Sequence, residues 1–412
     1  MSPRDPHSTF GWLVVALLFA GSVLNYMDRA ALGVVMPQVR RDLRLTNQEY
    51  GLAVNAFLLA YMVFYILGGR FADRLGCRRA FSVMVVFWSV SNMMHALTAG
   101  LKSLCAFRAL LGIGEGGFYP AAMRGAAEWF PPEERAKAVG VFLCGISVGT
   151  LLTQPLVAWI TYHHGWRAAF LVTGGLGLLL VPPWLFVHRM IRRAFGAADP
   201  APAAAAATAV ARGPSLGDVL RRRKYWLILF SRAVTDAVWF FYLFWMPGYF
   251  QDVRGFDLQM VGLLLWIPYL AADAGAIGGA WASSALIEKG WGLDRSRKTL
   301  LLASAGLCVI GSNAWLAPGP YSALALVSLA LLGHLSWSSN IQTVITEITP
   351  QPHVAVLYGI TGAVGTGLGA LTQPIVGRVV DTLGYSPGFA GCGVVFLLAA
   401  ALLLAAGKIE KL

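Results

Sequence analysis

Charge is what this chain has least of: Asp, Glu, Lys and Arg together make up 13% of its 412 residues, against 57% for the hydrophobic types. Soluble domains carry about a quarter charged residues, so a soluble fold is excluded. Cysteine is scarce too. The five cysteines, Cys77, Cys105, Cys144, Cys308 and Cys392, stand in or beside apolar stretches without metal-ligand spacing, and their odd number and scatter argue against a disulfide framework. A phosphate-binding glycine loop and a nucleophile with its base are also missing, as is any cluster of metal-ligating side chains. These absences argue against a membrane-embedded enzyme and predict neither metal nor cofactor. Acidic residues number 20 against 32 basic ones, for a net charge of +12. The basic residues lie in loops between apolar runs rather than on one domain face, so topology accounts for the excess and no nucleic-acid partner is expected.

What is present is apolar length. Runs of about 20 residues, enough to cross a hydrocarbon core of ~30 Å as helices, recur throughout. A β-barrel would show alternating segments of about ten residues instead. The runs fall near 11–35, 49–69, 80–99, 103–125, 137–161 and 167–188, and again near 226–249, 260–284, 298–317, 320–346, 354–380 and 387–407. The reading is an all-α membrane protein with 12 transmembrane helices in two six-helix, pseudo-symmetric halves, 1–190 and 225–412. The first run could mimic a signal peptide, but it leads straight into "LNYMDR" and further spans, which makes it a retained helix.

Residues 191–224 read as a cytoplasmic linker. Arg189, Arg192 and Arg193 precede a low-complexity "ADPAPAAAAATAVARG", and Arg221, Arg222, Arg223 and Lys224 follow it. Ala and Pro of this kind build no core, so a tether is expected, with Ser215 capping a possible surface helix in "SLGDVLRRRKYW". The Lys/Arg bias of the loops after spans two, four, six and eight puts the linker and both termini in the cytoplasm, although Arg40, Arg41 and Arg44 cut against it.

Against this apolar background, buried charge is informative. Arg108 and Glu115 occupy "FRALLGIGEGGFYP", seven residues apart on one helical stripe, with Gly112 between them leaving room for a close neighbour. Asp28 and Arg29 stand near the middle of the first span. A charged side chain at the bilayer centre costs about 2.5–3.5 kcal/mol, so each must face a cavity or a partner. Two readings stay open. Asp28 with Arg108, or Glu115 with Arg29, could be internal ion pairs that pin helices. Alternatively, Asp28 and Glu115 carry protons while Arg29 or Arg108 anchors a substrate carboxylate, an anion at the arginine relieving its hold on the carboxylate and so favouring protonation. Guanidinium suits that anchor because it stays charged and meets a carboxylate with two parallel hydrogen bonds.

Tyr26 and Tyr61 offer hydroxyls near those charges, with packing as the alternative. In the second half, Trp239, Tyr242 and Trp245 form an aromatic face, for which packing is again the alternative. "HLSWSSNIQTVITEITP" is polar for a span, and Ser339 and Asn340 are the preferred partners for substrate hydroxyls, against interhelical hydrogen bonding. Gln154 before Pro155 and Gln373 before Pro374 are analogous positions. Arg232 and Asp236, four apart, are expected to pair.

In "GGRFADRLGCRR", Gly69, Asp73, Arg74, Gly76, Arg78 and Arg79 match the signature loop of the major facilitator superfamily, which the chain resembles. "LNYMDRAALGVVMP", "RALLGIGEGGFYPA", "EWFPPEERAKAVG" and "FFYLFWMPGYFQDVRGFDL" resemble its anion:cation symporter branch. "YLAADAGAIGGAW" and "GYSPGFAG" look most like bacterial hexuronate and aldonate transporters. The resemblance implies a monomeric, multi-pass inner-membrane carrier of organic anions coupled to protons. It also implies a conformational latch at Gly69, Asp73, Arg74, Gly76 and Arg78, and matching positions for the proton and anion roles above. The antiporter-type Gly-Pro signature of span five is poorly matched, which favours symport. Alternatives are another organic anion, such as a dicarboxylate or aromatic acid, or a passive channel.

Overall fold

The computed structural model describes residues 6–130, 132–195, 216–350 and 353–410, and among them every regular element is helical. Among the described residues ten helical stretches, two of them the parts of one helix on either side of its turn, are long and apolar enough to cross a membrane. One unit takes the chain to Leu45 and again from Leu52 through the helix ending at Phe195; the other takes Thr46–Gly51 and the described residues from Leu216 onward.

In the first unit, α1 (Pro6–Leu43) packs on α5 (Pro132–His164) and α6 (Trp166–Phe195). Glycine sets the closeness of that approach. A methyl group at Gly145 would come within 2.5 Å of the Phe19 carbonyl oxygen, and one at Gly149 would meet the Val23 carbonyl. α1 and α5 therefore run in parallel register, four residues on one per four on the other. The second helix, α2 (Asn47–Met94), continues through the predicted signature loop and turns only at Gly76, whose φ of 75° is open to glycine and strained for other residues.

Span four is two helices, α3 (Leu101–Gly116) and α4 (Phe118–Trp129), joined at Gly117. The glycines of "GIGEGG" lay α3 directly on α2. A Cβ at Gly112 would meet the Phe57 carbonyl oxygen, one at Gly114 would lie 2.8 Å from the Trp88 backbone nitrogen, and one at Gly116 would lie 2.7 Å from the Tyr61 carbonyl. Backbone cannot yield as a flexible side chain can. Gly112→Ala is accordingly expected to lower the apparent melting temperature of the detergent-solubilised protein by several degrees, the size of shift that about 1 kcal/mol or more of overpacking produces. Thermal unfolding followed by fluorescence checks it.

The second unit contains α7 (Leu216–Arg221), α8 (Arg223–Asp252), α9 (Leu258–Leu264), α10 (Ile267–Glu288), α11 (Leu293–Gly311), α12 (Pro320–Ile348), α13 (Val354–Leu383) and α14 (Ser386–Ala405). Its pairings repeat those of the first. α13 packs on α8 as α5 packs on α1, with Gly369 against the Phe240 ring, and α12 lies on α10 with Gly275 against the Leu332 carbonyl. The same unit holds the first turn of α2. Asp381 accepts from the backbone and side-chain nitrogens of Asn47 at 2.9 and 2.8 Å and from the Gln48 nitrogen at 2.9 Å, filling donors that a helix start leaves unpaired. Of the linker, residues 196–215, Ser215 among them, lie outside the described residues. Its described edges are helical, with 191–195 completing α6, α7 where a surface helix was expected, and α8 already under way at Arg223.

Candidate functional site

Asp28 and Arg29 are adjacent on α1, so their side chains leave the helix about 100° apart and serve different neighbours. Arg29 turns to α3. Its Nε donates to Glu115 Oε2 at 3.0 Å, and its Nη2 lies 3.0 Å from the same oxygen and 3.3 Å from Asn25 Oδ1. Three aromatic faces gather round the guanidinium, with ring centroids 4.4 Å (Tyr61), 4.5 Å (Tyr26) and 5.4 Å (Phe57) from its Cζ. Arg108, on the same helix as Glu115, has its Cζ 4.7 Å from the Phe57 ring centroid. Asp28, Arg108 and Glu115 are fully buried, and Arg29 is 4% exposed.

Asp28 turns instead to α2 and α6. Asn92 Nδ2 donates to its Oδ1 at 2.6 Å and also reaches Thr173 Oγ1 at 2.8 Å, while Asp28 Oδ2 has no hydrogen-bond partner among the described residues. Of the two ion pairs left open by the sequence, Glu115 with Arg29 is formed, and Asp28 has an amide for its partner.

Three residues that sequence reasoning passed over or left undecided belong with this cluster. Tyr119, four positions after Glu115, is 7% exposed, its hydroxyl has no hydrogen-bond partner among the described residues, and Tyr26, Arg29, Tyr61 and Glu115 are its electrostatic neighbours. Gln154 is fully buried with neither amide atom hydrogen-bonded, and the α1–α5 register set by Gly145 and Gly149 carries it to the level of Asp28. Its analogue Gln373 differs, since it accepts from Trp245 Nε1 at 2.9 Å and donates to the Gly369 carbonyl at 2.9 Å. Asn92 was legible only as one amide in the polar run Ser89, Ser91, Asn92, His95 of an apolar span.

In the second unit, Ser339 and Asn340 both donate to the Ser336 carbonyl, at 3.1 and 3.0 Å, which leaves the buried Asn340 Oδ1 without a partner. Much of the polar run thus bonds within its own helix. Tyr242 is buried against Phe241 and Phe389, with Cys308 and Cys392 acting on its hydroxyl, and these neighbours match the packing alternative. Trp239 stacks on His334 at 5.7 Å. Arg232 and Asp236 pair at 3.8 Å as expected, and Arg232 also donates to Thr361.

At the signature motif, the Asp73 side chain lies outside the described residues. Gly69 faces open space, Arg74 is exposed, and the Arg78 carbonyl accepts from Trp184 Nε1 at 3.1 Å. Glu128 accepts from Arg124 at 2.6 Å and from the Cys77 amide at 3.5 Å. The second-half counterpart keeps a hub of the same kind: Arg297 grips both oxygens of Glu347, at 2.7 and 3.2 Å, and donates to Ser283 Oγ at 2.8 Å.

Comparison with known proteins agrees with this architecture. The chain is 29% identical to a protein named hexuronate transporter of Escherichia coli (strain K12), covering 94% of this chain and 92% of that one. It is 29% identical to a D-galactonate transporter of Escherichia coli O6:H1 (strain CFT073), covering 97% and 96%. Its fold matches the crystal structure of a bacterial homologue of the human lysosomal transporter Spinster with a TM-score of 0.80 over 99% of this chain and 98% of that one, at 17% identity. Residues 18–371 match the family model described as Major Facilitator Superfamily, and this multi-pass membrane protein belongs to that family.

Proposed function

We propose that the chain is a proton-coupled symporter of an organic anion, most specifically a sugar acid such as a hexuronate or an aldonate, working by alternating access. The observation that carries this reading is the buried Arg29–Glu115 pair. Arg29 holds an internal carboxylate where a substrate carboxylate can take its place, and the displaced Glu115, buried and without its cation, is then favoured to take a proton. Anion and proton binding thereby support each other. The names of the relatives agree with the substrate class.

In this reading Arg29 anchors the anion and Arg108 supplies a second positive charge. Tyr26, Tyr61, Tyr119 and Gln154 meet the substrate's oxygens; in the second unit, taken by itself, Ser339 and Asn340 are the candidates for bonding to substrate hydroxyls. The ten apolar stretches together with α3–α4 and α13 make twelve spans, with both termini in the cytoplasm and the carrier a monomer of the inner membrane. Gly69, Asp73, Arg74, Gly76 and Arg78 act as a conformational latch, with Gly76 supplying the turn.

The test is uptake of radiolabelled D-galacturonate, D-glucuronate and D-galactonate into proteoliposomes under an inward proton gradient. The expected result is accumulation that collapses with a protonophore. If no acid in a broad panel accumulates in a gradient-dependent way, the symport reading fails. If dicarboxylates or aromatic acids outcompete the sugar acids, coupling stands and the substrate class changes.

A further inference from the structure

The two buried carboxylates of the cluster are held by different chemistry: Glu115 by a guanidinium, and Asp28 by an amide that reaches it from α2. We propose that Asn92 is a positioning residue, which holds Asp28 through Oδ1 as a proton site separate from the Glu115–Arg29 pair, with Thr173 fixing the orientation of the amide. The inference rests on the proton-coupled reading above and adds a role for residues outside it.

Asn92 Nδ2 carries two hydrogens and cannot accept. It lies 2.6 Å from Asp28 Oδ1, 2.8 Å from Thr173 Oγ1 and 3.4 Å from the Phe170 carbonyl. The opposite amide orientation would set two oxygens 2.6 Å apart against an ionised carboxylate, so the network fixes which atom faces Asp28. Oδ1 then remains an acceptor in both charge states. An arriving proton adds to Oδ2, which is buried and unpartnered, and the carboxylate becomes a neutral acid with no other bond changed.

Asn92 also ties α1, α2 and α6 together at this point. That tether holds the Asp28 carboxylate on the α2–α6 side while Arg29, the next residue, faces α3. The charged and titratable groups nearest Asp28 are Arg29, the next residue of its own helix, Glu115 on α3, and His95 beyond Asn92 on α2. Glu115 is the one that acts on it most. The neutral Thr173 hydroxyl meets it from α6 and the Trp88 indole from α2, and His95 is occupied with the Ser91 and Asn92 carbonyls at 3.0 and 3.1 Å.

The experiment uses the full chain in proteoliposomes with radiolabelled D-galacturonate, scoring gradient-driven uptake from pH 5 to 8 beside counterflow exchange. An N–H donated to Oδ1 favours the ionised form, so its loss lets Asp28 take its proton from a less acidic medium and release it less readily. Asn92→Leu is expected to move the uptake profile about one pH unit to the alkaline side and to depress uphill accumulation more than counterflow. Asn92→Ala, which removes the amide without adding bulk, is expected to move it the same way by a similar amount, and it decides the matter if the leucine variant does not fold. Profiles that coincide with the parent's, or uptake and counterflow falling in equal proportion with no shift, overturn the positioning role. A parent chain that shows no gradient dependence overturns the coupled reading itself, and the inference with it.

Discussion

Glu115→Gln is expected to depress uphill accumulation of sugar acid steeply while exchange of external for internal substrate continues. Glutamine keeps an oxygen for Arg29 at nearly the same place as Glu115 Oε2, which receives the Arg29 Nε hydrogen at 3.0 Å. It has no charge to gain or lose, so it stands in permanently for the protonated acid. The loaded carrier still reorients, but without the proton that Glu115 would have carried. Accumulation should fall by roughly tenfold or more, and the pH dependence that remains should be that of Asp28 alone. Affinity for the anion should rise by about tenfold, because a neutral amide competes for the guanidinium less well than a carboxylate does. Scintillation counting of uptake and counterflow separates the two effects, and unchanged accumulation would remove Glu115 from the proton path.

Arg29→Lys has the second large effect, a loss of anion affinity of about thirtyfold, or ~2 kcal/mol. An ammonium keeps the charge but not the planar fork that meets a carboxylate with two parallel bonds. It also sits differently among the rings of Tyr26, Tyr61 and Phe57. Arg108→Lys should cost less, about fivefold, since Arg108 contributes field rather than the anchoring contact. Isothermal titration of the purified variants checks the order. If Arg108→Lys is the more damaging, the anchor is Arg108 and the exchange of partners at Arg29 plays no part in binding.

How much of this was legible in the sequence differs from residue to residue. Buried charge was legible because it is costly in a bilayer, so Asp28, Arg29, Arg108 and Glu115 announced themselves within apolar runs. Gly112 was legible as room for a neighbour, and the Phe57 carbonyl occupies that room. The choice between ion pairs was not legible. Sequence places Asp28 and Arg29 side by side, but only the packing of α1 against both α2 and α3 decides that one faces an amide and the other a carboxylate.

Neutral polar residues were the least legible of all. Asn92, Tyr119 and Gln154 are ordinary in a membrane helix, where amides and hydroxyls often bridge neighbours. What singles them out is the atom each leaves bonded to Asp28 or unbonded in a buried place, and that is a property of the fold. The break at Gly117 was hidden for a similar reason. A run of glycines permits a helix to interrupt itself without requiring it, and the apolar length reads the same either way.

The aromatic enclosure of Arg29 has a consequence for selectivity. With three rings packed about the guanidinium, there is little space for the water that accompanies an anion in solution, and an incoming ion must be stripped before it binds. Stripping a carboxylate monoanion is far less costly than stripping a phosphate monoester carrying nearly twice the charge, since the cost of dehydration climbs steeply with charge. With Arg29 as the anion's anchor, this enclosure would sort anions by how tightly they hold their water. On the proposed reading, sugar phosphates, which share the ring and hydroxyls of the sugar acids and would be attracted by the same two arginines, are expected to be turned away by dehydration before shape is consulted.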